Sequence, residues 1–161
     1  MPSTHLSIQN RQSAVPVDIG SLEQKLRQAI AVEETASVDV TVLLVDDVEI
    51  HRLNREFLNH DWPTDVITFF NDDTPAVGTD PDRRGRGRHL TGELVVSVNT
   101  AEREAVRQGW RVDDELLLYC VHGWLHLCGY DDLTDDERPL MRQRERELLA
   151  LFGLTPTDLE D

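Results

Sequence analysis

The chain has 161 residues, a formal net charge of −15 and two cysteines, and it is long enough to bury a core of its own. Such an excess of negative charge argues against a general nucleic-acid binder, because affinity for phosphates comes from Lys and Arg. No apolar run reaches the roughly 18 residues that a membrane-spanning helix needs, and no leader pattern opens the chain. We therefore expect a cytoplasmic protein without a membrane partner.

The first half of the chain predicts two strand–helix pairs. Segment 6–10 alternates weakly and predicts an edge strand, and a helix over 21–33 begins with a capping box. A β-branched strand over 38–45 leads to a second helix, which Asp46 or Asp47 caps. The apolar residues of this second helix are spaced for one buried stripe, and they are Ile50, Leu53, Phe57 and Leu58.

The middle of the chain predicts a short strand over 66–70, a long and mobile loop over 71–90, and a strand over 91–98. The loop holds four arginines, which can fork onto phosphates, although a solvated loop is the alternative interpretation. These candidates for RNA contact are Arg83, Arg84, Arg86 and Arg88. Asn99 is expected to cap a third helix that ends at Gly109.

The last third of the chain predicts a fourth helix from Asp113 or Asp114 that is apolar around nearly its whole circumference, as core helices are. A fifth helix should begin near Thr134 and end at Gly153, before an acidic tail over 154–161. Its expected buried residues are Leu140, Met141, Leu148, Leu151 and Phe152. The pattern predicts one α+β domain over 1–161, in which about five helices cover a small mixed sheet of about four strands, with the fourth helix at the centre.

Two histidines, His122 and His126, lie four residues apart on this central helix. Helical geometry puts them about 40° apart around the axis and one turn apart along it, so both rings leave the same face. Gly129 can then turn the chain back, so that the Asp132 carboxylate reaches the same point. Two imidazoles, one carboxylate and an open position for water form a catalytic metal site. The alternative is a pair of buried core histidines.

A divalent ion in such a site activates water and polarises a carbonyl or phosphoryl oxygen. A metalloprotease helix reads His-Glu-x-x-His, whereas Gly123 follows His122 here, so the general base of a peptidase is missing. Glu93 and Asp65 are the candidates for a general base, because they flank the ends of predicted strands. Carboxylates in such positions more often cap strands or turns.

The two cysteines, Cys120 and Cys128, lie about 12 Å apart if they share one helix, which is too far for a disulfide. We expect buried, reduced thiols. Cys128 is close enough in sequence to the histidines to be a weak rival ligand.

The stretch from His122 to Asp131 reads His-Gly-Trp-Leu-His-Leu-Cys-Gly-Tyr-Asp, and Asp132 follows it. It resembles the H-G-x-L-H-L-x-G-Y-D-H signature of the YbeY family of bacterial metallo-endoribonucleases, also called rRNA maturation factors. The stretches Leu53-Asn54, 61–69 and 92–97 are similar to that family too. Together, the similar stretches cover most of the chain from about Asp46 to Phe152.

The resemblance implies one zinc ion bound by His122, His126 and the residue at 132. It implies a single-strand-specific endoribonuclease that hydrolyses phosphodiester bonds. RNA, rRNA and the small ribosomal subunit would be its partners, with roles in maturation of the small-subunit rRNA 3′ end and in ribosome quality control.

This chain differs from the family at two positions. Asp132 replaces the third histidine, and because a carboxylate is a harder ligand, Fe²⁺ or Mn²⁺ are alternatives to zinc. Leu58 stands where the family often has an arginine, which is a natural phosphate contact. That loss favours one alternative function, a non-catalytic ribosome-assembly factor with a structural metal. A hydrolase on another substrate, such as a peptidase, is the other alternative.

Overall fold

A computed structural model of the chain describes residues 3–58, 65–70, 84–130 and 134–156. In these residues the chain forms four strands and five helices. In chain order they are β1 (Ser3–Asn10), α1 (Ile19–Val32), β2 (Ser37–Val45), α2 (Asp47–Leu58), β3 (Val66–Phe70), β4 (His89–Ser97), α3 (Val98–Gln108), α4 (Val112–Cys128) and α5 (Arg138–Ala150).

The four strands form a mixed sheet in the order β1-β2-β4-β3. β1 and β4 both pair with β2 in parallel, whereas β3 pairs with β4 in the antiparallel direction. The alternating residues of β2 face the main core, as predicted, and they are Val38, Val40, Val42 and Leu44. The smaller cluster of Val45, Ile50, Ile67 and Val95 packs α2 on the opposite face of the sheet. The predicted α+β class with a small mixed sheet is confirmed.

Helix α4 is the centre of the molecule, as its apolar circumference predicts. It packs against β3 and β4 of the sheet and against α1, α3 and α5. The packing on the sheet is close, because a Cβ added at Gly123 would lie 2.7 Å from Leu94 Cδ2. Gly129 ends the helix in the left-handed region at φ 106°, which a side chain would make costly.

The caps of three helices differ from the predictions. α1 begins at Ile19, because Asp18 and not the predicted capping box accepts the first free amide, that of Ser21. α3 is capped by Ser97, whose hydroxyl accepts from the Thr100 amide. The predicted cap, Asn99, instead accepts from the backbone amide of Asp47 at 2.7 Å and so ties α2 to α3. α4 begins at Val112.

Three residues predicted to be buried are exposed, namely Phe57, Leu140 and Leu151. α5 begins at Arg138, later than predicted, because Pro139 fits only the first positions of a helix. β4 begins at His89, so the predicted loop over 71–90 ends two residues early.

Several predictions fall on residues outside the described ones. They concern most of the 71–90 loop, the turn before β3, and the last five residues of the acidic tail. Among the described residues, no helix is both long enough and apolar enough to cross a bilayer.

Candidate metal centre

The two histidines of α4 lie on its solvent side. In the fully described stretch from Glu115 to Tyr130, every residue is buried except His122 and His126, which are half-buried. A satisfied core histidine would share the burial of its neighbours. The structure therefore favours the site interpretation of the pair over the core interpretation.

The two histidine rings of α4 are arranged in a geometry that fits one metal ion. Their Nε2 atoms lie 3.2 Å apart, and the rings meet edge to face with centroids 4.7 Å apart. Two nitrogens that each lie about 2.0–2.1 Å from a tetrahedral zinc are about 3.3 Å from one another. The predicted pairing of the two imidazoles is present, and its dimensions suit a shared divalent ion.

The other ring nitrogen of His122 has a carboxylate partner that the sequence analysis missed. His122 Nδ1 donates to Glu145 Oε1 on α5, and the Glu145 side chain has no exposed surface. Arg142 Nη1 lies 3.0 Å from each Glu145 oxygen and supplies the compensating positive charge. A charged residue inside the buried stripe of α5 is the sequence signal that could have revealed Glu145.

The third predicted ligand, Asp132, lies outside the described residues. Within the described ranges, which end at Tyr130 and resume at Thr134, no third His, Cys, Asp or Glu joins the two histidines in a metal-binding group. Cys128 is not a rival ligand, since its sulfur is buried against the segment that contains Gly85. The role of Asp132 stays a prediction.

Two arginines of the predicted RNA-binding cluster bind the C-terminal end of α4. Arg84 Nη1 donates to the Gly129 carbonyl at 3.2 Å, and Arg88 Nη1 donates to the Cys128 carbonyl at 2.9 Å. Cations and donors stabilise this end of a helix, where the last carbonyls lack helical partners. Arg86 is half exposed and pairs with Glu34. Arg83 lies outside the described residues.

A buried ionic cluster supports the same helix end. Glu33, which ends α1, accepts from Arg144 Nη2 at 2.8 Å and from the Gly85 amide at 3.0 Å. Two guanidiniums lie over the Tyr130 ring, with Arg84 5.2 Å and Arg144 5.9 Å from its centroid. Burial and then the Glu33 carboxylate raise the pKa of Tyr130, so the phenol stays protonated. The cluster anchors the bend from which the chain continues toward residue 132.

The two candidates for a general base lie in different places. Leu94 faces α4, and side chains alternate along a strand, so Glu93 points to the opposite face of the sheet, away from both histidines. We therefore do not assign a catalytic role to Glu93. Asp65 accepts from the Val66 amide at 2.7 Å. Burial, then the charge of Glu115 and then the charge of Asp65 raise the pKa of Tyr119. Asp65 thus lies near Tyr119, which precedes His122 by three residues on α4.

Comparison with known proteins identifies the family of this chain. The family model described as "Endoribonuclease YbeY" matches residues 7–153. The chain belongs to the YbeY family. A relative named endoribonuclease YbeY from Desulfitobacterium hafniense is 35% identical over 136 residues, which are 84% of this chain and 85% of that protein. The relative of the same name from Syntrophus aciditrophicus is 30% identical over 158 residues, which are 97% and 94% of the two chains.

The fold of this chain is similar to that of a solved protein. The solution structure of TM1509 from Thermotoga maritima superposes on this chain with a TM-score of 0.61 and 28% sequence identity. The match covers 93% of this chain and 89% of that one. The family that the α4 signature resembles is therefore confirmed by the family model and by relatives, and the solved structure shares the fold.

Proposed function

We propose that this chain is a metal-dependent endoribonuclease that hydrolyses phosphodiester bonds in single-stranded RNA. The observation that carries the proposal is the pair of imidazole Nε2 atoms, 3.2 Å apart on the solvent side of the central helix, in a chain of the YbeY family. Relatives across most of its length are named endoribonucleases. The assembly-factor alternative would use the same pair of imidazoles, so the name of the relatives is what favours the enzyme over it.

The proposed metal is zinc, with Fe²⁺ or Mn²⁺ as alternatives. His122 and His126 would hold it through Nε2, and the Asp132 carboxylate would complete the ligand set from beyond the Gly129 bend. When bound, the ion supplies Lewis-acid chemistry, since it activates water and polarises a phosphoryl oxygen. The burial of α4 holds both rings in place before substrate arrives, which reduces the reorganisation that catalysis requires.

RNA contact belongs to the more exposed of the loop arginines. Arg84 and Arg88 already donate to carbonyls of α4, so their main role is structural. Arg86, and Arg83 beyond the described residues, stay candidates for phosphate contact. By resemblance to the family, we propose the 3′ end of small-subunit rRNA as the substrate and ribosome quality control as a further role. Both would place the protein in the cytoplasm.

A peptidase is disfavoured by the surroundings of Gly123. A Glu at this position is the general base of a His-Glu-x-x-His protease. Here a Cβ at position 123 would lie 2.7 Å from Leu94 Cδ2, so the position faces the sheet and not the open side of the histidines. A side chain there would have to displace Leu94 and would point into the sheet, away from a substrate at the histidines.

Cleavage of a labelled, unstructured RNA by the purified chain tests the proposal. We expect cleavage that a chelator abolishes and that added zinc restores, with duplex RNA cut far more slowly. His126→Ala should abolish cleavage, whereas His5→Ala, at an exposed position on the edge strand β1, should leave it unchanged. Cleavage that survives both the chelator and His126→Ala would refute the proposal.

A further inference from the structure

One carboxylate of α5 occupies a position where an apolar residue would be expected. Glu145 has no exposed side-chain surface and lies in the buried stripe of α5 with Met141, Leu148 and Leu149. Burying a charge is costly unless it is paired, and an apolar residue of similar volume often serves stability as well or better. The carboxylate at 145 therefore calls for a reason other than packing.

The contacts of Glu145 indicate that reason. An ionised carboxylate can only accept hydrogen bonds, so its partner nitrogen, His122 Nδ1, must carry the hydrogen. A neutral imidazole has one N–H, and its other nitrogen, Nε2, then presents a lone pair. That lone pair faces His126 Nε2 at 3.2 Å, where the proposed metal would bind.

We propose that Glu145 is a positioning residue that fixes the tautomer and ring orientation of His122, and that Arg142 holds the Glu145 carboxylate in place. This inference rests on the proposed metal site. Arg142 lies 3.0 Å from both oxygens of Glu145, and its own side chain is 20% exposed, so it brings positive charge to a carboxylate that solvent does not reach. Without Glu145, the hydrogen of His122 can move to Nε2, and metal binding is then weakened because it must displace that hydrogen.

The first test measures the tautomer directly and needs neither metal nor RNA. Imidazole ¹⁵N chemical shifts of the metal-free protein, at about pH 8.5 and so above the ordinary histidine pKa of about 6.5, distinguish the two tautomers. We expect wild-type His122 to carry its hydrogen on Nδ1. A wild-type His122 with its hydrogen on Nε2 would overturn the inference without any variant.

Two variants at position 145 then separate positioning from packing. Glu145→Leu suits the apolar stripe, so we expect an unchanged or higher Tm together with a mixture of His122 tautomers. Zinc affinity, measured by competition with a chelating dye, should fall by about 10- to 100-fold, as is typical when the partner of a ligating histidine is lost. Glu145→Gln retains a side-chain carbonyl that can accept from Nδ1, so its loss of affinity should be smaller.

The matched control is Glu147→Ala, on the same helix. Glu147 pairs with Arg144 and contacts neither histidine in the described structure, so both the His122 tautomer and the zinc affinity should stay at the wild-type values. A folded Glu145→Leu protein with the wild-type tautomer and zinc affinity would overturn the inference, and so would a greater loss for Glu145→Gln than for Glu145→Leu. Failure of the RNA cleavage assay would instead refute the proposed function and leave the tautomer measurement standing.

Discussion

The buried ion pair between Arg144 and Glu33 offers a sharp test of what holds the end of α4 in place. Arg144 Nη2 lies 2.8 Å from Glu33 Oε1, and the two side chains are 7% and 1% exposed. Arg144→Met removes the cation while keeping most of the side-chain volume. The Glu33 carboxylate then stays buried with the Gly85 amide as a remaining donor and no compensating charge from Arg144.

Removal of one partner from a buried pair typically costs about 3–5 kcal/mol, because an uncompensated charge remains out of water. Since Tm changes by roughly 2–4 °C per kcal/mol in a domain of this size, we expect Arg144→Met to lower Tm by roughly 6–20 °C. Loss of the guanidinium 5.9 Å from the Tyr130 ring adds to this cost.

Urea unfolding of a double-mutant cycle measures the effect. Glu33→Gln removes the orphaned charge but keeps an acceptor for the Gly85 amide, so Arg144→Met should cost about 1–3 kcal/mol less in that background. Arg107→Met, at an exposed pair on α3, is the matched control and should change the free energy of unfolding by less than about 1 kcal/mol. An effect of Arg144→Met no larger than this control, or strict additivity with Glu33→Gln, would refute the reasoning.

Further predictions concern packing, the thiols and pH. Gly92→Ala places a Cβ 2.7 Å from a backbone oxygen, so it should cost about 1–3 kcal/mol in thermal unfolding, whereas Gly20→Ala, with its nearest contact at 3.8 Å, should cost nothing. Burial raises the pKa of Cys120 to about 12, and that of Cys128 well above its ordinary value, so a thiol reagent at neutral pH should label neither until urea unfolds the chain. Burial alone would raise the pKa of Asp47, but hydrogen bonds from β4 and α3 outweigh it and the pKa is lowered. The wild type should therefore have a higher free energy of unfolding than Asp47→Asn above about pH 4, and this difference should vanish as the pH falls further. Unfolding measured over a series of acidic pH values would show it.

The parts of the site that local sequence determines could be predicted. The apolar circumference of α4 indicates a core helix, and the spacing of His122 and His126 puts both rings on one face whatever surrounds them. Gly129 could be predicted at the bend because glycine commonly ends a helix in the left-handed region. The structure shows the positive φ that this rule expects. These features belong to one continuous segment, so no tertiary information is needed.

The parts of the site that depend on tertiary packing could not be predicted from the sequence. The arginine-rich segment has the composition of a phosphate-binding loop, yet Arg84 and Arg88 reach the end of a helix some 40 residues away in sequence. Glu93 lies on the face of β4 that points away from α4. No pattern within β4 reveals which of its faces α4 covers. Glu145 was missed for a different reason. Its spacing from Met141 and Leu148 marks it as part of the buried stripe of α5, but only tertiary packing shows that it meets His122 of α4.

Zinc titration of the metal-free protein by calorimetry tests the central claim most directly, which is that the two imidazoles on adjacent turns of α4 hold one divalent ion. We predict one high-affinity site per chain in the wild type, retained in His5→Ala. Either His122→Ala or His126→Ala should abolish that site, and Asp132→Ala should weaken it. Zinc binding with unchanged stoichiometry and affinity in the two α4 histidine variants would contradict the account.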